Sequence, residues 1–168
     1  MKILILYGTR RGTTTQTCEL ISKVLHESFN YEAEALNVQK YGKVKKHLSE
    51  YDAIIVGSSI QSAQWVSKAR RVLKSMRKVQ KPLFVFVTAG GTMYKVEKYG
   101  ITKEEAIQDG FEKYIDKYLE KYNLEPKSKA VFGGRKMKKG ELRYESWNAQ
   151  DIINWANEVG KILKNSNS

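Results

Sequence analysis

Short apolar runs recur along the chain, and between them apolar residues return every three or four positions. The runs at 2–7 (KILILY), 53–57 (AIIVG) and 83–88 (LFVFVT) are nearly unbroken and rich in β-branched or aromatic side chains. Strands covered on both faces have that composition. A further run, 129–133 (KAVFG), closes the series, while 31–36 (YEAEAL) alternates, as an edge strand does. Helical spacing fills the intervals. Residues 13–28 place Thr17, Leu20, Ile21, Val24 and Leu25 on one face, and residues 65–78 do the same with Val66, Ala69, Val72, Leu73 and Met76. Residues 103–122 present Ala106, Ile107, Phe111, Ile115, Tyr118 and Leu119, and residues 148–164 present Ile152, Ile153, Trp155, Ala156, Val159 and Ile162. A shorter helix is expected over 40–50. Thr102, followed by Lys103, Glu104 and Glu105, reads as a capped helix start.

Five strands alternating with helices predict an α/β domain built on a parallel, doubly wound sheet. Right-handed crossovers leave few topologies, and the size suits the strand order 2-1-3-4-5. In that order a ligand sits at the carboxyl ends of strands 1 and 3, where the winding reverses. Residues 1–164 are expected to form one domain, with 165–168 as a flexible tail.

Composition narrows this. The 168 residues include 41% hydrophobic ones, an ordinary globular share. No apolar run approaches the roughly 18 residues that would span a bilayer. The opening MKILILYG has too short an apolar stretch for a secretory signal. One cysteine, Cys18, permits no intrachain disulfide and fits a reducing compartment. A cytoplasmic protein is expected. The net charge of +12 bears on partners rather than on fold. It favours acidic proteins, anionic lipid surfaces or nucleic acid.

The candidate chemistry lies in three loops. After the first strand comes GTRRGTTT, residues 8–15. Amide N–H groups at a helix start lack intrahelical acceptors and face whatever binds there. Thr9, Thr13, Thr14 and Thr15 add hydroxyls, Gly12 lets the backbone pass close to an oxyanion, and no acid occurs from Lys2 to Cys18. Together these predict a site for a phosphate dianion. Arg10 and Arg11 either add charge to it or point into solvent. Neither G-x-x-x-x-G-K-[ST] nor G-x-G-x-x-G is present, and the second strand leads to Asn37, not to a ribose-binding acid. After the third strand, Gly57, Ser58 and Ser59 allow a flat ring near the backbone, with Ile60, Gln61 and Trp65 as covering or polar groups. Trp65 either stacks on a ligand or is the first core residue of the next helix. The third loop, after the fourth strand, holds Thr88, Ala89, Gly90 and Gly91, with Tyr94 or Tyr99 able to stack. Alternatively it is a surface loop without a ligand.

On these residues the chain resembles the flavodoxin-type FMN proteins. Thr9 to Thr14 is similar to their phosphate loop, hydroxyl-x-hydroxyl-Gly-x-hydroxyl, and departs from it at Arg11. Within that superfamily the chain is most similar to the quinone-linked, flavodoxin-type protoporphyrinogen oxidases and their relatives. Those share Thr-Arg-x-Gly-x-Thr after the first strand and Gly-x-Ser-Ile after the third, matched by Gly57, Ser59 and Ile60, with an aromatic residue matched by Trp65. The resemblance implies a flavodoxin-like three-layer sandwich with a five-stranded parallel sheet. It also implies bound FMN, with phosphate on the first loop and isoalloxazine between the second and third. Where the oxidase carries a long insertion after the fifth strand, this chain has only GGRKMKKGELRYESW.

The expected function is therefore electron transfer through a bound flavin. Protoporphyrinogen oxidation with a quinone acceptor is the narrower alternative, and an enzyme of this kind would be an FMN-dependent oxidoreductase. A basic, non-redox binding module is the alternative of another class. Partners are expected among acidic redox proteins, quinones and membrane-associated acceptors, with peripheral contact to the inner face of the membrane and no specific nucleic acid. His26 and His47 sit in helical patterns as surface residues, Cys18 packs under the first helix, and no metal site is expected.

Overall fold

The computed structural model describes all residues except 41–47 and 167–168. In chain order its elements are β1 (Lys2–Gly8), α1 (Thr13–Phe29), β2 (Glu32–Asn37), β3 (Ala53–Gln61), β4 (Gln64–Trp65), α2 (Ser67–Ser75), β5 (Leu83–Thr88) and α3 (Gly90–Tyr99). Then follow α4 (Lys103–Gly110), a π-helical turn (Phe111–Asp116), α5 (Lys117–Tyr122), β6 (Ser128–Phe132), β7 (Arg135–Lys138), β8 (Glu141–Glu145) and α6 (Ala149–Ser166). The shorter helix expected over 40–50 falls largely on residues 41–47, outside the described residues, as does His47.

The parallel strands stand in the order β2-β1-β3-β5-β6. With the two-residue β4 set aside, this is the predicted 2-1-3-4-5 order of a flavodoxin-like sandwich. Ile5 sits between Ala35 on one side and Ile55 on the other. Because side chains alternate across a strand, the two faces of β1 feed two cores. Ile3 and Ile5 pack with Ile21, Leu25, Phe84, Phe86, Trp155 and Val159 beneath α1 and α6. Leu4 and Leu6 pack with Ile54, Val56, Leu73, Val85, Val87 and Ala106 beneath α2 and α4. Central strands buried on both faces explain why their sequences read as unbroken apolar runs.

Several boundaries differ from the sequence reading. β3 runs on past Gly57 to Gln61 and folds back on β4 through Ser62 and Ala63, so α2 starts at Ser67 rather than at Trp65. The stretch after β5 is not a loop: α3 begins at Gly90. Its paired glycines mask the helical signal, but Gly90 is there for close approach, since a Cβ on it would lie 2.9 Å from the Gly134 carbonyl carbon. The span 103–122 is interrupted by the π-helical turn. It opens as expected with a capping box, Thr102 Oγ1 accepting from the Glu105 amide and Glu105 accepting from the Thr102 amide. α6 continues through Ser166, into the residues expected as a tail.

Phe86 is fully buried, with its ring 5.7 Å from Phe132 and 5.9 Å from Trp155. Phe86→Ala is expected to cost about 3–5 kcal/mol in denaturant unfolding, with a loss of near-ultraviolet aromatic dichroism. At the β2 edge Tyr51 donates a hydrogen bond to the Glu34 carboxylate. That bond first, and burial second, push the phenol from 10.0 up to about 12. A raised phenol favours the folded state at pH values below its unfolded value, and the contribution is lost as pH rises through about 12. Spectrophotometric titration should show a late-ionising tyrosine component that Tyr51→Phe removes, beside a Tyr31 phenol that burial also raises.

Candidate functional site

The carboxyl ends of β1, β3 and β5 converge at one end of the sheet on a cavity of about 60 Å³. Its lining comes from the first loop (Thr9, Arg10, Arg11, Thr13), from β3 (Ser59, Ile60, Gln61), from β5 and α3 (Thr88, Gly90), and from the segment after β6 (Gly134, Arg135). Parallel pairing forces this meeting. Strands that run the same way end together, and the helices that follow start together.

The floor is the start of α1. Gly12 precedes it at φ 81°, a left-handed conformation that glycine adopts without strain. No side chain caps the helix, and its first turn holds no acid. The first-turn N–H groups therefore have no intrahelical acceptor and no side-chain substitute. The threonines divide the work. Thr9 Oγ1 accepts from the Gly12 amide at 3.0 Å and shapes the loop, while the Thr9 amide donates to Gln39 Oε1 at 2.9 Å. Thr14 is fully buried, its hydroxyl 2.8 Å from that of Thr88, which ties α1 to β5. Thr13 lines the cavity.

Arg10 turns sideways, its guanidinium donating to the carbonyls of Gln64 and Trp65. Arg11 stays exposed at the cavity mouth. Ser58 is buried in the protein, its hydroxyl donating to the Ser59 carbonyl and accepting from the Val66 amide. Ser59 Oγ is buried with no protein partner, a spare hydrogen-bonding group on the cavity wall. Ile60 and Gln61 continue that wall.

Other predicted site residues lie elsewhere. Trp65 is 2% exposed in the core, its indole N–H donating to the Tyr114 carbonyl at 2.6 Å and its ring edge-on to Tyr118. It is buried in the core, but in β4 rather than as the first core residue of the next helix. Ala89 is buried with its amide on the Phe132 carbonyl. Gly91 faces open space. Tyr94 is not among the lining residues; its ring stands edge-on to Tyr144 and under the Lys136 ammonium at 4.0 Å. Tyr99 is exposed at the far end of α3.

Two lining residues escaped the sequence reading. Gly134 packs against Gly90, and Arg135 brings a third guanidinium to the rim, paired with Glu145 at 2.9 Å. The signal for them was a second glycine pair, Gly133–Gly134, directly after a strand. Three arginines, one of them paired with Glu145, and no acid among the lining residues leave an excess of positive charge at the cavity.

This topology, with a glycine- and threonine-built helix start after β1, is that of a flavodoxin-type domain. A family model described as "Flavodoxin domain" matches residues 4–153, and the chain belongs to that family. No curated protein matches it. Among solved structures it is similar to oxidised flavodoxin 1 from Bacillus cereus (13% identity, TM-score 0.61, covering 96% of this chain and 98% of that one). It is similar to a point mutant of flavodoxin from Pseudomonas aeruginosa (16% identity, TM-score 0.62, 98% and 99%). It also resembles rubredoxin oxygen:oxidoreductase from Desulfovibrio gigas at 12% identity and TM-score 0.62, covering 97% of this chain and 36% of that protein. The chain thus spans about a third of that oxidoreductase.

The buried Thr14–Thr88 pair gives a direct test of the cradle's framework. Thr14→Val leaves the Thr88 hydroxyl buried without its partner and should cost about 1–3 kcal/mol. In a denaturant-unfolding cycle, adding Thr88→Val should recover part of that loss, since the pair is then removed together.

Proposed function

We propose that this protein binds FMN, with its phosphate at the cavity, and carries electrons between partners through it. The observation that carries the reading is the acid-free, uncapped start of α1 at the sheet's carboxyl end, flanked by a wall with an unpartnered hydroxyl at Ser59. The residues fit the cofactor's phosphate. First-turn amides of α1, Thr13 and Arg11 supply donors and positive charge, and the helix dipole adds to both. Ser59, Ile60 and Gln61 on one side, with Gly90, Gly134 and Arg135 on the other, would border the ring. Bound flavin supplies one- and two-electron chemistry. The chain's part is to hold the phosphate, shield the ring and set the electrostatic field around it. Amide and hydroxyl donors, with Arg11 free of an acidic partner in the lining, favour negative charge there.

The partner reading follows from charge. A +12 protein is steered toward acidic surfaces. Next to the cavity, β7 and β8 carry Lys136 and Lys138, with Lys139 at their turn, beside Arg135 and Arg143, which are paired with Glu145 and Glu141. An acidic redox protein suits this face, and a quinone is the small-molecule alternative. No helix among the described residues is long and apolar enough to cross a membrane. Cytoplasmic placement belongs to the same proposal. Protoporphyrinogen oxidation is a narrower reading that rests on the loop motifs at Thr9–Thr14 and Gly57–Ile60.

The protein reconstituted with FMN should be yellow, and titration of the apo form should show one saturable site. Gly12→Val, which puts a branched side chain at φ 81°, should weaken binding by at least about tenfold. A protein that stays colourless and is retained on nucleic acid would favour the basic binding module. Electron transfer to an acidic redox protein should slow as salt rises. Salt-independent transfer would remove the charge argument, and turnover of protoporphyrinogen with a quinone would select the narrower enzyme.

A further inference from the structure

The hairpin that walls one side of the cavity is poorly built to stand alone. β3 and β4 pair as Ile60 with Trp65 and Gln61 with Gln64, around a two-residue turn of Ser62 and Ala63. Both turn residues adopt positive φ, 51° and 59°. Two-residue turns of that hand are usually made by Asn-Gly or Asp-Gly, because branched or methyl-bearing residues are strained there. Such strain persists only where surrounding contacts over-determine it.

Three contacts do so. The Trp65 indole donates to the Tyr114 carbonyl at 2.6 Å, and the Val66 amide donates to Ser58 Oγ at 2.9 Å. The third comes from the first loop: Arg10 Nη1 reaches the Gln64 carbonyl at 3.0 Å and Nη2 the Trp65 carbonyl at 2.8 Å. A planar guanidinium spans two carbonyls as a fork, which a single ammonium does not reproduce. Arg10 is two residues from Gly12, so the same short loop presents the α1 amides and grips the hairpin.

We propose that Arg10 is a positioning residue, a brace by which the first loop holds the hairpin carrying Ser59, Ile60 and Gln61 in place. This rests on the flavin reading for its ligand, but the brace is a property of the chain alone. Its consequence is that Arg10 governs the ring wall rather than the phosphate. Whatever orders the first loop also stiffens the hairpin through those two hydrogen bonds.

Riboflavin, which has the ring and no phosphate, separates the two roles. Arg10→Ala and Arg10→Lys are each compared with the unsubstituted protein for FMN and riboflavin affinity. Hydrogen exchange over residues 60–66 is followed without ligand. The brace predicts that both variants lose affinity for riboflavin and FMN alike, by about tenfold, with faster exchange confined to 60–66. Normal riboflavin affinity beside weakened FMN would make Arg10 a phosphate contact and overturn the proposal. Full recovery in Arg10→Lys would also overturn it, since charge alone would then suffice. If the unsubstituted protein binds neither flavin, the flavin reading fails while the exchange rates still decide the brace: unchanged rates at 60–66 refute it, and faster ones uphold it.

Discussion

An α-helix leaves the amides of its first turn without acceptors, to be answered by side chains, water or a ligand. In α1, as in α2 and α3, no side chain does so. That omission can stand because the helix starts from Gly12 at φ 81° on the carboxyl end of a central strand, where an external anion could take the place of a cap. The rest of the site is arranged around this unanswered charge. The nearest side chains are hydroxyls and guanidinium groups, and the acids of the chain are kept off the lining.

Holding that geometry requires rigid neighbours. The hydroxyl pair of Thr14 and Thr88 joins α1 to β5 inside the core. Gly90 and Gly134 let the start of α3 and the segment after β6 approach closely enough that a Cβ on Gly134 would lie 3.2 Å from the Gly90 amide nitrogen. Close packing of this kind leaves little room for the cradle to relax. On the outer side the support is polar: Thr9 on Gln39, and Arg10 on the β4 carbonyls. The site is therefore firm where it meets the sheet and depends on few contacts where it meets the hairpin.

Much of this was legible from the chain. Unbroken apolar runs marked the central strands because both faces of β1, β3 and β5 are covered. The first loop was legible because its requirements, glycine, hydroxyls and no acid, are local. What stayed hidden depends on side-chain direction and on distant segments. Ser58 and Ser59 are adjacent, yet Ser58 serves the backbone and Ser59 keeps an unpartnered hydroxyl on the cavity wall. Trp65 is claimed by the Tyr114 carbonyl from a helix about fifty residues on. Glycines at 90 and 91 concealed α3, since helical periodicity cannot be read from residues without side chains. Arg135 reaches the rim only through the topology of β6 and β7.

The central claim is that an anion is received by the open first turn of α1. Amide NMR during titration with FMN tests it residue by residue. Large, saturable shifts are expected at the first-turn amides of Thr13 to Thr15, with a second set at Ser59 to Gln61. Shifts that cluster elsewhere, or first-turn amides that do not respond at saturating FMN, would contradict it.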